Sequence, residues 1–180
     1  MKNLSCISLL ICPLVLFCQN HDYIWVSGDG NTTATTTHGG ITSDFNQKPV
    51  NAYYNYRDHN FFTTNSSICD SAGNLLFYTN GCVIAGADDA ILENGDDINP
   101  GSSHTLWCVN YEDGYAGGPQ NSVILPVPDT SGVFYLFHKS ITIYQNPFDV
   151  VTDKFMYTVI NMNLNNFKGK VTTKNNVFWS

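Results

Sequence analysis

Lysine and arginine are scarce in this chain: they number 8 against 15 aspartates and glutamates across 180 residues, and they nowhere cluster. Nucleic acid and anionic lipid are both held by arrays of basic side chains, so neither is an expected partner. No amphipathic stretch repeats its apolar residues at the 3.6-residue helical period. No phosphate-cradling glycine loop, nucleophile elbow or metalloprotease helix signature occurs, and without such a motif the expectation is a non-catalytic protein. Beyond the N-terminus no apolar run approaches the length needed to span a bilayer, so no membrane insertion is expected once the N-terminal segment is removed.

That N-terminal segment is Met1–Cys18. Lys2 supplies a short positive region, Leu4 to Phe17 is almost wholly apolar, and polarity returns at Gln19-Asn20-His21-Asp22. The layout is that of a secretory signal peptide, with cleavage expected between Cys18 and Gln19 and a secreted or cell-surface product over 19–180. Acylation of Cys18 is the alternative, set against the bulky Phe17 beside it. Removing the leader leaves 7 basic residues against 15 acidic ones. It also takes Cys6, Cys12 and Cys18, so three cysteines remain. In an oxidising compartment these form at most one internal bridge. Cys82 and Cys108 both flank loop-like sequence while Cys69 sits in an apparent strand, so Cys82–Cys108 is the expected pair. Three buried free thiols are the alternative.

What is abundant is strand signal. Short aromatic and β-branched runs alternate with Gly, Asn, Asp and Pro, which predicts an all-β fold. The clearest runs are Tyr23–Val26, Phe61–Cys69, Leu75–Thr79, Val123–Leu125, Val133–His138, Phe155–Met162 and Lys170–Thr173. Two hairpins are expected. Asp70-Ser71-Ala72-Gly73-Asn74 joins Ser66–Cys69 to Leu75–Thr79, and Pro128-Asp129-Thr130-Ser131-Gly132 joins Val123–Val127 to Val133–His138. Leu75–Tyr78 and Val133–Phe137 are apolar on both faces, as strands between packed sheets are. In Phe155–Met162, Met156, Thr158, Ile160 and Met162 are expected to share one face. Asn80–Gln120, rich in Gly, Asp and Asn, reads as an elaborated surface loop. The Thr-rich Asn31–Thr37 reads as a solvated one.

The ordered blocks GGITSDFNQKP (Gly39–Pro49), CDSAGNLLFYTNG (Cys69–Gly81), ILENGDDINPGSSH (Ile91–His104), PQNSVILPVP (Pro119–Pro128), GVFYLFH (Gly132–His138) and YTVINMNLNNFKGKV (Tyr157–Val171) resemble the N-terminal region of large secreted Bacteroidetes proteins. Many of those carry a type nine secretion sorting domain, and some belong to gliding and adhesin systems. The resemblance implies β-propeller-like blades. The chain departs from the pattern at Val83–Gly86 and by an apparent insertion, Thr105–Gly118. Blades take roughly 40–45 residues and a ring needs about four or more. A partial or open set of antiparallel blades is therefore expected, with a β-sandwich as the alternative; a strand left unpaired at Val177–Trp179 would be an aggregation risk.

Candidate site residues fall into two groups. Glu93, Asp96 and Asp97 lie in Gly/Asn-rich sequence and are candidate calcium ligands, although their spacing fits no EF-hand and Glu93-Asn94-Gly95 is equally explained as a turn. His104 and Cys108 form at most a zinc half-site that would need helical context. The better clue is aromatic. Trp107, Tyr111 and Tyr115 stand in the long acidic loop, and Tyr54 and Tyr56 belong to Tyr53-Tyr54-Asn55-Tyr56, outside any clear strand. Rings beside Asn and Asp suit a glycan or a protein surface. For the Tyr53–Tyr56 group, rings folded back over the core are the somewhat favoured alternative. The expected function is a surface binding or adhesion module with Asn80–Gln120 as its contact region. A secreted glycan hydrolase is one rival, and a structural spacer unit the other. For the hydrolase, Asp70 is the nearest candidate acid, though its turn-capping role already explains it.

Overall fold

The computed structural model describes residues 20–28, 40–118 and 120–180. The leader Met1–Cys18, the Thr-rich stretch Asn31–Thr37 and Pro119 lie outside the described residues. Strand dominates, as the composition predicts, in three antiparallel sheets, none closed into a barrel. The first sheet contains β1 (Ile24–Ser27), β2 (Ile41–Asp44) and β3 (Asn51–Tyr54). The second contains β4 (Ser66–Cys69), β5 (Leu75–Thr79) and β6 (Ile84–Gly86). The third contains β7 (Ser122–Pro126), β8 (Val133–Gln145), β9 (Phe148–Asn161) and β10 (Lys170–Trp179). Each sheet is a meander in chain order.

The three sheets meet through their first strands, β1 beside β4 and β4 beside β7. Small hydroxyls make the close approach possible. Ser67 Oγ donates to the Ile24 carbonyl at 2.8 Å, and Ser66 Oγ donates to the Ser122 carbonyl at 2.9 Å. A row of meanders fanning outward from adjacent first strands is an open, blade-like arrangement, the fold class expected.

Both expected hairpins form, because their turn chemistry is local. The Asp70 carboxylate accepts the backbone N–H of Ala72 at 2.8 Å and of Asn74 at 2.9 Å, and Gly73 takes φ 88°. Gly132 ends the second turn at φ 73°. The main core lies between the second and third sheets. Ile68, Phe77 and Ile84 pack against Ile124, Phe134, Leu136 and Ile160, with Phe77 and Phe134 meeting edge to face at 5.4 Å. Burying each such side chain contributes about 1.5–3 kcal/mol before entropy is charged. A smaller core, Val26 with Phe61, Tyr78 and Ala85, joins the first sheet to the second.

Several expectations need correction. The run Phe61–Cys69 is strand only from Ser66. In β8 the burial alternates instead of covering both faces: Phe134, Leu136 and His138 are buried, while Tyr135 and Phe137 are half-covered. Val177–Trp179 is part of β10 and carries no unpaired-edge risk on its β9 side, where Val177 pairs with Met156 and Trp179 with Phe155. The largest correction concerns Asn80–Gln120. It contributes β6 and the buried Leu92, Ile98 and Tyr115, and it includes a helical stretch, α1 (Ser102–His104) continuing as a wider π-type turn over Thr105–Asn110. Asp89, Asn94, Asp97 and Asn99 all adopt positive φ, the conformation Asn and Asp tolerate best after Gly. These residues turn the chain sharply enough to drop single apolar side chains into the core.

Candidate functional site

The structure gathers an aromatic ledge from the helical stretch and the loop before β4. Phe62 and Trp107 stack with ring centroids 4.9 Å apart and planes 18° apart, and Tyr111 lies 5.4 Å beyond Trp107. Trp107 and Tyr111 share a side because the stretch is wound: the Tyr111 N–H reaches the Leu106 carbonyl at 3.2 Å. Phe62 and Tyr111 are exposed, at 48% and 58%, while Trp107 between them is half-buried. The indole Nε1–H of Trp107 is buried with no acceptor in reach among the described residues. Such an orphan donor costs about 1–3 kcal/mol, a cost that a phenylalanine would not carry.

The ledge is fixed from below. Cys82 and Cys108 are bridged, with Cα atoms 5.6 Å apart, which ties the helical stretch to the end of the second sheet. Among the described residues Cys69 is the free cysteine, and its burial raises the thiol pKa. Ser103 Oγ donates to the Ile141 carbonyl at 2.8 Å. Asn60 Nδ2 donates to the Glu112 carbonyl, which pins the loop carrying Phe62 to the far end of the stretch. Gly114 belongs here for a steric reason. It holds φ 90°, and a Cβ would sit 2.4 Å from the Asn60 carbonyl oxygen.

Tyr115 must be removed from the expected ligand contacts. It is buried to 1% exposure, and its hydroxyl accepts the Ile141 N–H at 2.9 Å. Burial pushes its pKa up to about 12, so it is a core strut holding the ledge to β8. Tyr54 and Tyr56 are exposed, at 57% and 48%, as is Tyr53. They do not fold back over the core, and residues 51–54 form a strand, contrary to expectation. They make no ring contact with Trp107 or Tyr111 among the described residues. A hydrogen bond to Asp58, with its charge, raises the Tyr56 pKa.

The three acids are not gathered into an oxygen cage either. Glu93 pairs with Lys170 at 2.5 Å and Asp96 with Lys174 at 2.7 Å, both lysines reaching over from β10. Asp97 offers its backbone carbonyl to Asn175 Nδ2. Among the described residues no group of three or more metal-ligating side chains converges. These ion pairs are exposed and each contributes at most about 1 kcal/mol. Adding calcium or EDTA is therefore expected to leave the thermal midpoint unmoved, and a calcium-dependent rise in a differential scanning trace would restore the ligand reading. The zinc half-site fails for a different reason. His104 and Cys108 do lie in a helical stretch, but the Cys108 sulfur is already committed to the disulfide.

The carboxyl groups whose titration is displaced all move one way. At Asp70 partial burial alone would raise the pKa, yet hydrogen bonds from Asn74, Ala72 and Gly73 outweigh it and the group sits low. At Asp153 the hydrogen bonds from Ser140 and Thr142 likewise overcome burial. The Lys174 ammonium lowers Asp96. A cleft of about 630 Å³ lies between the two turn tips and is lined by His21, Asp70, Gly132, Met162 and Phe167 among others. Two of its polar groups are occupied: Asp70 caps its own turn, and His21 Nδ1 is bonded to the Cys69 carbonyl.

Phe62 is the member of the ledge that sequence reasoning missed. It sits in an apolar run that reads as strand, and only its position just before a Thr-Thr-Asn stretch hinted otherwise. Compared with family models, curated proteins and solved structures, the chain matches none.

Proposed function

We propose that this chain is a non-catalytic, extracellular binding module whose contact surface is the ledge of Phe62, Trp107 and Tyr111. The observation that carries the reading is a row of three contacting rings, Phe62 and Tyr111 exposed and Trp107 between them half-buried, held in place by a disulfide, a hydroxyl–carbonyl bond and a buried tyrosine. Pre-fixed rings lose little entropy on binding and present flat apolar area to the CH face of a sugar or to a protein side chain. The disulfide supports an oxidising compartment. The direction of the carboxyl shifts supports a non-catalytic role. A general acid at neutral pH needs a raised pKa, and Asp70, Asp96 and Asp153 are all lowered.

The test is a glycan and surface-protein array probed with the secreted form. Trp107→Ala is expected to weaken any bound partner by roughly 30-fold or more, the scale of an aromatic hot spot. Trp107→Phe keeps the stack and removes the orphan donor, so its unfolding free energy should equal or exceed that of the parent. Full binding by Trp107→Ala with its fold intact by circular dichroism would remove the ledge from consideration. Hydrolysis of a glycan substrate, abolished when Asp70, Glu93, Asp96 and Asp97 are changed to amides without loss of fold, would replace this reading with the hydrolase.

A further inference from the structure

Two sheet faces, one at each end of the row of sheets, carry apolar side chains on which none of the described residues packs. On the third sheet the side chains of β7 and β8 that point away from the core are Val123 opposite Phe137 and Leu125 opposite Tyr135. Val123 and Leu125 are exposed, at 48% and 47%. The same wall continues across Tyr157 on β9 and Phe178 on β10, which meet Tyr135 and Phe137 edge to face. On the first sheet the face turned away from Val26 carries Trp25, Ile41 and Tyr54, all exposed. Faces of this kind on a soluble protein mark an interaction surface.

The molecule itself shows what such a wall receives. The second sheet presents Ile68 opposite Phe77 to the third sheet, and Phe134 and Leu136 pack there. An aliphatic residue on the first strand opposite an aromatic one on the second is the pairing that the third sheet repeats on its free side. The internal contacts also fix the direction of packing, since each sheet sets its first strand beside the first strand of the sheet before it. A sheet placed on the free wall by the same rule would lay its first strand along β7. In this chain the only sheet among the described residues with a free face of the opposite sense is the first. Both free faces border one groove of about 390 Å³ along the first strands, lined by Trp25 and Ser43 from one side and Val123 from the other.

We infer that the occupant is a second copy of this chain, seated so that its first sheet covers the free face of the third sheet and the reverse contact forms simultaneously. A contact between two different faces either propagates or closes. With the three sheets found among the described residues of each copy, a two-fold axis closes it into a six-sheet ring, within the roughly four to eight blades that such rings use. The first strands β1, β4 and β7 of both copies would then line the central channel. Tyr54, expected from sequence to contact a ligand, would lie in this interface, and the ledge of Phe62, Trp107 and Tyr111 takes no part in the argument.

Sedimentation equilibrium of the secreted chain tests this, and a mass twice that of the chain is expected. Phe137→Glu on one face and Trp25→Glu on the other should each raise the dimer dissociation constant about 30-fold or more. Leu125→Lys stands in for Phe137→Glu should that half-covered position disturb folding. Because the two faces differ, mixing Phe137→Glu with Trp25→Glu leaves one unaltered interface per pair and should recover dimer that neither variant forms alone. A monomeric parent chain, a Trp25→Glu variant that still dimerises, open-ended polymers, or no recovery on mixing would each overturn the inference. A longer form of the chain that is monomeric because its own further sheet covers the wall would overturn it as well.

Discussion

Replacing Cys82 and Cys108 together by alanine is expected to lower the unfolding free energy by about 3–4 kcal/mol, the chain-entropy value for a loop of this size. The two cysteines are 26 positions apart. The closed loop holds β6 and the buried Leu92, Ile98 and Asn99, joined to the sheets by few regular ladder bonds. Freed of the tether, the unfolded chain gains configurations while the native contacts remain. Alanine is the better replacement at Cys82, because a serine hydroxyl buried beside Tyr115 and Ile141 would add its own desolvation cost. Urea titration should show a lower midpoint, with a slope no smaller than that of the parent because the untethered unfolded chain exposes more surface. Mild reduction of the parent protein should reproduce the value, which separates the tether from the side-chain change. Hydrogen exchange adds the spatial pattern: amides over 102–118 should lose protection first, while β8 and β9 keep theirs. An unchanged midpoint, or protection lost evenly over the whole chain, would show that the bridge does not hold the ledge.

The legible parts of this fold are those whose cause is local. Asp70 with Gly73, and Asp129 with Gly132, specify their turns within five residues, so both hairpins could be read directly. β2 and β3 could not. Ile41–Asp44 and Asn51–Tyr54 are polar, four-residue strands formed by pairing outward from β1, and pairing leaves no trace in a single segment. The distal halves of β8 and β9, from Ser140–Gln145 and Phe148–Lys154, extend beyond both β7 and β10 as a two-stranded arm. Its side chains are mixed because neither face is fully covered. Within Asn80–Gln120 the core residues arrive singly from tight turns, so no period of 2 or 3.6 announces them. The same distinction governs the site. Trp107 and Tyr111 stood out as rings in polar sequence, whereas the fate of Tyr115 was set by Ile141, 26 residues away. The lysines that occupy Glu93 and Asp96 come from more than 70 residues downstream. Chemistry chosen by distant neighbours is invisible to spacing.

His138 supplies the second large effect, an acid-labile core. It is buried to 3% exposure between β7 and β9, in a polar chain whose direction the structure fixes. The Asn175 N–H donates to Thr158 Oγ1 at 3.1 Å, so the Thr158 hydroxyl is free to donate to His138 Nε2 at 2.9 Å. His138 Nδ1–H then donates to Asn99 Oδ1 at 2.6 Å, while Asn99 Nδ2 donates to the Gly81 carbonyl. A β-bulge in β10 aims Asn175 inward to begin the chain. A second proton on Nε2 would face the Thr158 hydroxyl and force it to turn away from its only acceptor here, besides placing a charge in an apolar core. Burial accordingly pushes the His138 pKa down to about 4. Since the folded value lies below the ordinary 6.5, the unfolded chain takes up its proton first as pH falls. The contribution of His138 is whole above about pH 6.5 and is lost progressively between there and about pH 4, at about 1.4 kcal/mol per unit, or roughly 3 kcal/mol in all. His104, also lowered by burial, acts in the same direction. The lowered carboxyls of Asp70, Asp96 and Asp153 hold their contributions until the pH drops further. Urea titrations at pH 7, 5.5 and 4.5 should therefore show a steep loss of stability in the parent. His138→Gln, which keeps a donor and an acceptor but cannot titrate, should be less stable at neutral pH and distinctly flatter across the same range. Parallel slopes for the two proteins would place the acid sensitivity elsewhere.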